Sequence, residues 1–309
     1  MTMEASAMRP TVSANRVPKF SWLPRVRGLW LLLATGSILL IGCQSNGRSS
    51  AGPAVWHEPL DYLAGLRGDY FRLESKRVGR GFHIYVRLPL GYEQEKDKRY
   101  PTIYLLDGDV LFPILAPTQI LLNYDDGIPD AIVVGISYGS FDPPTNQRGF
   151  DFSGPAADAR PDQGGAPAFE AFLREELIPK VERQYRADPE RRILFGQSRG
   201  GYMVLWSAFT DPDLFWGRIA SNPSFSPGNE RFVAEPERSS RGDLGLVVTS
   251  SERDTPERRA RMLDWFGAWI GRKPQSWTLK TATIKDGTHS VDCVNSYRLG
   301  LLWLFDRAH

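Results

Sequence analysis

The chain has 309 residues, of which 41% are hydrophobic and 12% aromatic, enough to bury a sizeable core and incompatible with a disordered polymer. Its formal charge of +2 is unevenly spread: residues 1–42 carry five basic side chains (Arg9, Arg16, Lys19, Arg25, Arg27) against one acid, Glu4, leaving 33 basic and 35 acidic residues in the remainder. A slightly acidic domain with scattered charge has no electrostatic footprint for nucleic acid, and that class of partner is excluded.

The basic stretch of the leader ends at Arg27 and is followed by 15 uncharged residues, GLWLLLATGSILLIG, and then Cys43. Fifteen residues are short for a spanning helix, which needs about 20, and they fit the apolar segment of an export signal. LIGC (40–43) resembles the bacterial lipobox, in which the cysteine after a small residue is lipidated and becomes the new N-terminus. An uncleaved anchor is the alternative. Gln44, not being aspartate, implies by the same resemblance a place in the outer membrane, facing the periplasm. The expected organisation is a lipoprotein signal peptide over 1–42, a Gly/Ser/Pro-rich tether over 43–58 with lipid on Cys43, and one folded domain over 59–309. With Cys43 lipidated, Cys293 has no partner and is expected to be a small buried hydrophobe.

From about residue 68 strand and helix signals alternate. RGFHIYVRLP (80–89) alternates like a half-buried strand, whereas PTIYLLDG (101–108) and AIVVGISY (131–138) are apolar runs suited to strands covered on both faces. FEAFLREELIPKVERQY (169–185) has helical spacing with a kink expected at Pro179. RRILFG (191–196) is a short strand, YMVLWSAF (202–209) a helix, LGLVVTS (244–250) a strand and RARMLDWFGAWI (259–270) a helix. SWTLKTATI (276–284) and VNSYRLGLLWLF (294–305) close the series as strand and helix. Such βαβ alternation predicts an α/β fold with a mostly parallel central sheet and helices on both faces. Residues 226–243 are polar and short, so no large lid domain is expected.

Two segments match G-x-S-x-G, around Ser137 and Ser198. A nucleophile turn needs a strand before it and a helix directly after it, with glycines where side chains would collide with neighbouring backbone. Ser137 follows a strand but precedes GSFDPPTNQRG, which reads as a loop. Ser198 follows ILFG and precedes GGYMVLWSAF, with Gly201 permitting close helix packing. The context selects Ser198. The base that takes its proton must be a histidine, and the chain has four. His57 lies at the edge of the tether, His83 in an alternating strand and His309 at the terminus; His289 alone follows a strand and precedes a helix. The acid that orients it is expected just after LGLVVTS, with Glu252 favoured and Asp254 the runner-up. Backbone amides of Arg199 and, on the loop after LLDG, of Asp109 are the expected oxyanion donors. Asp107, Gly108, Tyr138 and Arg148 are expected to face the substrate.

RLPLGY (87–92), YPTIYLLDGDVLF (100–112), RGFDF (148–152), FLREELIPKVERQYRADPERRILFGQSRGG (172–201), SNPSF (221–225) and GTHS (287–290) together resemble the putative-esterase (esterase D-like) family of α/β-hydrolases. Within it they are nearest the enterobactin-esterase branch of periplasmic siderophore hydrolases. The resemblance covers roughly residues 68–309. It implies the α/β-hydrolase fold, Ser198 as nucleophile and His289 as base. Thr249 stands where the family more often has glycine before x-x-E, and SNPSF departs from the usual S-P-S, which weakens any carry-over of siderophore specificity. The expected reaction is hydrolysis of a small carboxylic ester through an acyl-enzyme, with no cofactor and no metal. The alternatives are acyl transfer to an alcohol and non-catalytic ligand binding. A siderophore, peptidoglycan, polysaccharide or xenobiotic ester is left open as substrate.

Overall fold

The computed structural model describes residues 63–274 and 276–307. The expectations for the signal peptide, the tether, Cys43, His57 and His309 lie outside the described residues. One sheet of eight strands organises the domain, in the order β1-β2-β4-β3-β5-β6-β7-β8. The strands are β1 (Gly68–Ser75), β2 (Arg80–Arg87), β3 (Tyr100–Leu105), β4 (Ile132–Ser137), β5 (Ala187–Gln197), β6 (Gly217–Ser221), β7 (Gly245–Ser251) and β8 (Thr278–Ile284). β1 and β2 form an antiparallel edge joined antiparallel to β4, and every pairing from β4 onward is parallel.

The helices follow from the need to cover both faces of such a sheet. They are α1 (Gly108–Asp126), α2 (Arg148–Asp151), α3 (Ala166–Phe172), α4 (Ile178–Gln184), α5 (Arg199–Thr210), α6 (Pro256–Trp269) and α7 (Cys293–Asp306). Every residue of β4, β6 and β7 is buried, as the apolar, β-branched runs of β4 and the first part of β7 require. Four elements, β1, α1, α2 and β6, were not expected from the sequence. Pro113 and Pro117 interrupt any helical reading of α1, which forms nevertheless because Leu111, Phe112, Leu115, Ala116 and Leu122 are buried. β6 is only five residues long and contains Arg218, which is fully buried and hydrogen-bonds the carbonyls of Ser207, Asp211, Pro212 and Phe215. The kink expected at Pro179 takes the form of a π-helical segment, Leu173–Leu177, directly before α4. A wider turn makes room for the proline ring and absorbs the hydrogen bond lost with its missing N–H.

The segment 226–243 contains only a short 3₁₀ turn, Asn229–Val233. It is less polar in function than in composition. Phe232 is fully buried against Tyr202, Phe209 and Phe225, and its carbonyl accepts hydrogen bonds from the indoles of Trp265 and Trp269. The segment is thereby fastened to α6. Cys293 is a free, buried thiol at the start of α7, and burial raises its pKa.

Candidate active site

The C-terminal ends of the parallel strands bring the chemistry together, the usual place for a ligand in an open α/β sheet. Ser198 occupies the single residue between β5 and α5, with φ 57° and ψ −110°. A non-glycine residue held at positive φ costs on the order of 1–3 kcal/mol and persists only where its surroundings fix it. They do so here: the Ser198 amide donates to the Ser221 carbonyl at 2.9 Å, and the Ser198 carbonyl accepts from the amides of Tyr202 and Ser224. Gly196 is required by close approach, since a Cβ there would sit 2.3 Å from the Gly200 carbonyl oxygen. At Gly201 a Cβ would lie 2.9 Å from the Cα of Pro223, so α5 packs directly on the loop after β6.

His289 Nε2 lies 2.9 Å from Ser198 Oγ, and His289 Nδ1 lies 2.6 Å from Asp254 Oδ2. The three side chains form one continuous line of hydroxyl, imidazole and carboxylate, the arrangement of a serine-hydrolase triad. The acid at the histidine is therefore Asp254, correcting the preference for Glu252. The reason is local geometry. Glu252 still pairs in the manner of a strand, its amide donating to the Ile284 carbonyl, and its exposed side chain accepts from the Asp286 amide at 2.8 Å. The chain then turns, with the Asp254 amide reaching back to the Ser251 carbonyl, and this turn swings Asp254 inward. The Asp254 side chain is only 4% exposed. Burial alone would raise its pKa, but hydrogen bonds from His289 and the Thr255 amide outweigh burial and hold it below the ordinary 3.8. The carboxylate therefore stays charged wherever an imidazole can change protonation state.

Residues to which the sequence assigned no role hold the histidine loop. The His289 carbonyl accepts from the side-chain amides of Gln197 and Asn222, which extend from the ends of β5 and β6. Asn222 also donates to Ser251 Oγ, and buried Asp292 accepts from the same hydroxyl. Asn222 is 2% exposed and has φ 43°, a strained position compatible with asparagine. Its place in SNPSF is a signal, though one that carries no role by itself.

The other predicted residues separate into two groups. Asp107 and Arg148 meet in a two-pronged ion pair of 2.6 and 2.9 Å, and both line the cleft that contains Ser198 and His289. Asp109 lines it too, while its carboxylate accepts from the amides of Tyr138 and Gly139 at 2.8 Å each. The amides of Arg199 and Asp109 fall in the first turns of α5 and α1, where no helical carbonyl precedes them. Gly108 and Tyr138, in contrast, do not face the cleft. Gly108 is buried against β4, where a Cβ would lie 2.6 Å from Ser137 Oγ. Tyr138 is 4% exposed, its ring packed near Phe82 and Phe152 and its hydroxyl donated to Asp151 at 2.8 Å.

Asp151 explains the second half of R-x-x-D in α2. Its fully buried carboxylate joins Tyr138 to Arg80 of β2, while Arg148 from the same turn reaches Asp107. Removing one partner of a buried ion pair costs about 3–5 kcal/mol. Asp151→Ala is accordingly expected to lower Tm by roughly 6–12 °C for a domain of this size, which thermal unfolding followed by circular dichroism checks; an unchanged Tm would remove the network from the account.

Ser137, the other G-x-S-x-G serine, is completely buried, and its hydroxyl has no hydrogen-bond partner among the described residues. His83 on the neighbouring strand is engaged instead with the Tyr70 hydroxyl at 2.7 Å.

A family model described as "Putative esterase" matches residues 75–299. The ferri-bacillibactin esterase BesA of Bacillus subtilis (strain 168) is 33% identical over 165 residues, 49% of this chain and 56% of that protein. A siderophore triacetylfusarinine C esterase of Aspergillus fumigatus is 33% identical over 166 residues, 50% of this chain and 55% of that protein. The chain thus spans about half the length of these curated relatives. Among solved structures, an IroE-like serine hydrolase from Shewanella oneidensis is similar with a TM-score of 0.66 at 24% identity, covering 77% of this chain and 80% of that one. The shared architecture is the α/β-hydrolase fold.

Proposed function

Since the chain belongs to the "Putative esterase" family, we propose that it hydrolyses carboxylic esters through an acyl-enzyme on Ser198. The observation that carries this reading is the unbroken line from Ser198 Oγ to His289 Nε2 and from His289 Nδ1 to Asp254. Ser198 Oγ bonds to the ester carbonyl carbon while its proton passes to His289 Nε2. The carbon–oxygen bond to the alcohol part then breaks, and the departing oxygen takes that proton from His289. Water repeats the sequence, losing a proton to His289 and releasing the acid with Ser198 restored. Asp254 keeps His289 in the tautomer that accepts at Nε2 and balances the imidazolium formed in each half. Amides of Arg199 and Asp109 are the proposed donors to the oxyanion; losing one such donor typically costs about 3–4 kcal/mol of transition-state stabilisation.

BesA and the Aspergillus fumigatus enzyme are named for siderophore esters, and a siderophore-like ester is the substrate class proposed for this chain. The test is pre-steady-state hydrolysis of 4-nitrophenyl esters by the full chain. A burst of nitrophenolate equal to the protein concentration, followed by slower turnover, is expected. Ligand binding without release of any alcohol would favour a non-catalytic role, and transfer of the acyl group to an added alcohol in place of water would mark an acyltransferase.

We further propose that the protein is anchored to the periplasmic side of the outer membrane by lipid on Cys43, a reading supported by LIGC at 40–43 and the apolar run before it. Cys43→Ser is expected to abolish incorporation of labelled fatty acid and to leave an uncleaved precursor. Unchanged labelling would contradict it.

A further inference from the structure

The cleft over Ser198 has two unlike halves. Towards α1 and α7 it opens into a cavity of about 580 Å³ walled by Val110, Leu111, Ile114, Phe141, Val291 and Val294. Towards α6 lies a second cavity of about 240 Å³, lined by Arg148, Arg199, Arg258 and Arg261. Ser198 and His289 border both, so the nucleophile stands on the boundary between an apolar half and a cationic half.

The positive charge of the second half is only partly compensated. Arg148 is paired with Asp107. Arg258 lies 3.4 Å from Asp254, a carboxylate already engaged with His289. The Arg199 guanidinium donates to Ser153 Oγ and to the Ser226 carbonyl, neither of them charged. Arg261 forms no ion pair among the described residues and is exposed at the rim. Scattered arginines on a surface ordinarily serve solubility, but Arg199 is different. It occupies the first position of α5, where the helix dipole disfavours a cation. Burial, then the positive charges of Arg148 and Arg160, lower its pKa. Neither hydrogen-bond partner of the Arg199 guanidinium is a carboxylate, and an anion bound in the cavity would supply one.

We propose that the substrate is an ester with one apolar arm and one negatively charged arm, the apolar arm lying against α1 and α7 and the charged arm among Arg199, Arg258 and Arg261. The inference deepens the esterase reading and rests on it. It also accounts for a site whose apolar rim, with Phe141 67% and Val291 74% exposed, borders a polar pocket of a different shape.

Two matched pairs of esters test it with the full-length protein. In the first pair the acyl part differs: the 4-nitrophenyl monoester of glutaric acid against 4-nitrophenyl pentanoate. In the second the alcohol part differs: the butyryl ester of 4-hydroxybenzoate against that of 4-hydroxybenzamide. In one pair the anionic member should be favoured about tenfold in kcat/KM, as expected for two poorly compensated cations. That ratio should fall towards one in Arg199→Gln/Arg261→Gln and at high salt. Each ratio is internal to one protein, so a general loss of activity in the variant does not affect it. Neutral esters preferred or equal in both pairs, or a preference that survives both arginine substitutions, would overturn the inference and leave the esterase reading intact. Failure to hydrolyse any of the four would count against the esterase reading itself.

Discussion

Ser198→Ala is expected to lower kcat for any ester the protein hydrolyses by on the order of 10⁶-fold, the scale on which a serine hydrolase loses its nucleophile. Little else should change. Alanine disfavours the φ of 57° about as much as serine does, and the backbone bonds to Ser221, Ser224 and Tyr202 do not involve the hydroxyl. Tm should therefore shift by no more than a few degrees, which separates lost chemistry from lost structure. Ser137→Ala is the matched control. Its hydroxyl is buried without a hydrogen-bond partner among the described residues, so removal is expected to be neutral or mildly stabilising, with activity retained. The opposite pattern would transfer the nucleophile to the end of β4.

Asp254→Asn should lower kcat by about 10⁴-fold, because an amide in place of the carboxylate favours the wrong imidazole tautomer and leaves the imidazolium unbalanced. Glu252→Gln should stay within a few-fold of wild type. Glu252 is exposed, and its side chain accepts from the amide of Asp286, a bond that a glutamine oxygen can still accept. Steady-state kinetics on one ester compares all three proteins. Equal small losses would mean that neither carboxylate balances His289 in solution.

The contrast between these two acids shows what was legible in the sequence. The place of Ser198 between a strand and a helix was legible because both are regional properties written over a dozen residues. The place of His289 between β8 and α7 was legible for the same reason. The parallel sheet was legible for the same reason, since β3, β4, β7 and the 193–196 part of β5 are largely apolar runs. The choice between Glu252 and Asp254 was of another kind. It depends on whether the strand ends at Ser251 or one residue later, and on the backbone bond from Asp254 to Ser251. No composition rule resolves a turn at that scale.

Tertiary packing hid the remainder. α1 contains two prolines and persists through its buried face, overriding propensity. Tyr138 follows the β4 strand next to a motif serine and was expected to meet the substrate, yet its hydroxyl is committed to Asp151 beneath the site. Gln197 and Asn222 carry no signature of a role, because each acts through the single carbonyl of His289, 92 and 67 residues away in sequence. What supports a catalytic group is set by which strand ends are neighbours, and sheet order is the property least visible along a chain.

Activation of Ser198 as a nucleophile is measured by its reaction with a fluorophosphonate probe. The full chain would be labelled, digested and mapped by mass spectrometry, with Asp254→Asn labelled in parallel. Stoichiometric label is expected on the peptide containing Ser198, with much slower labelling in the variant. Label on Ser137, or no label on a protein shown to be folded, would contradict an activated Ser198.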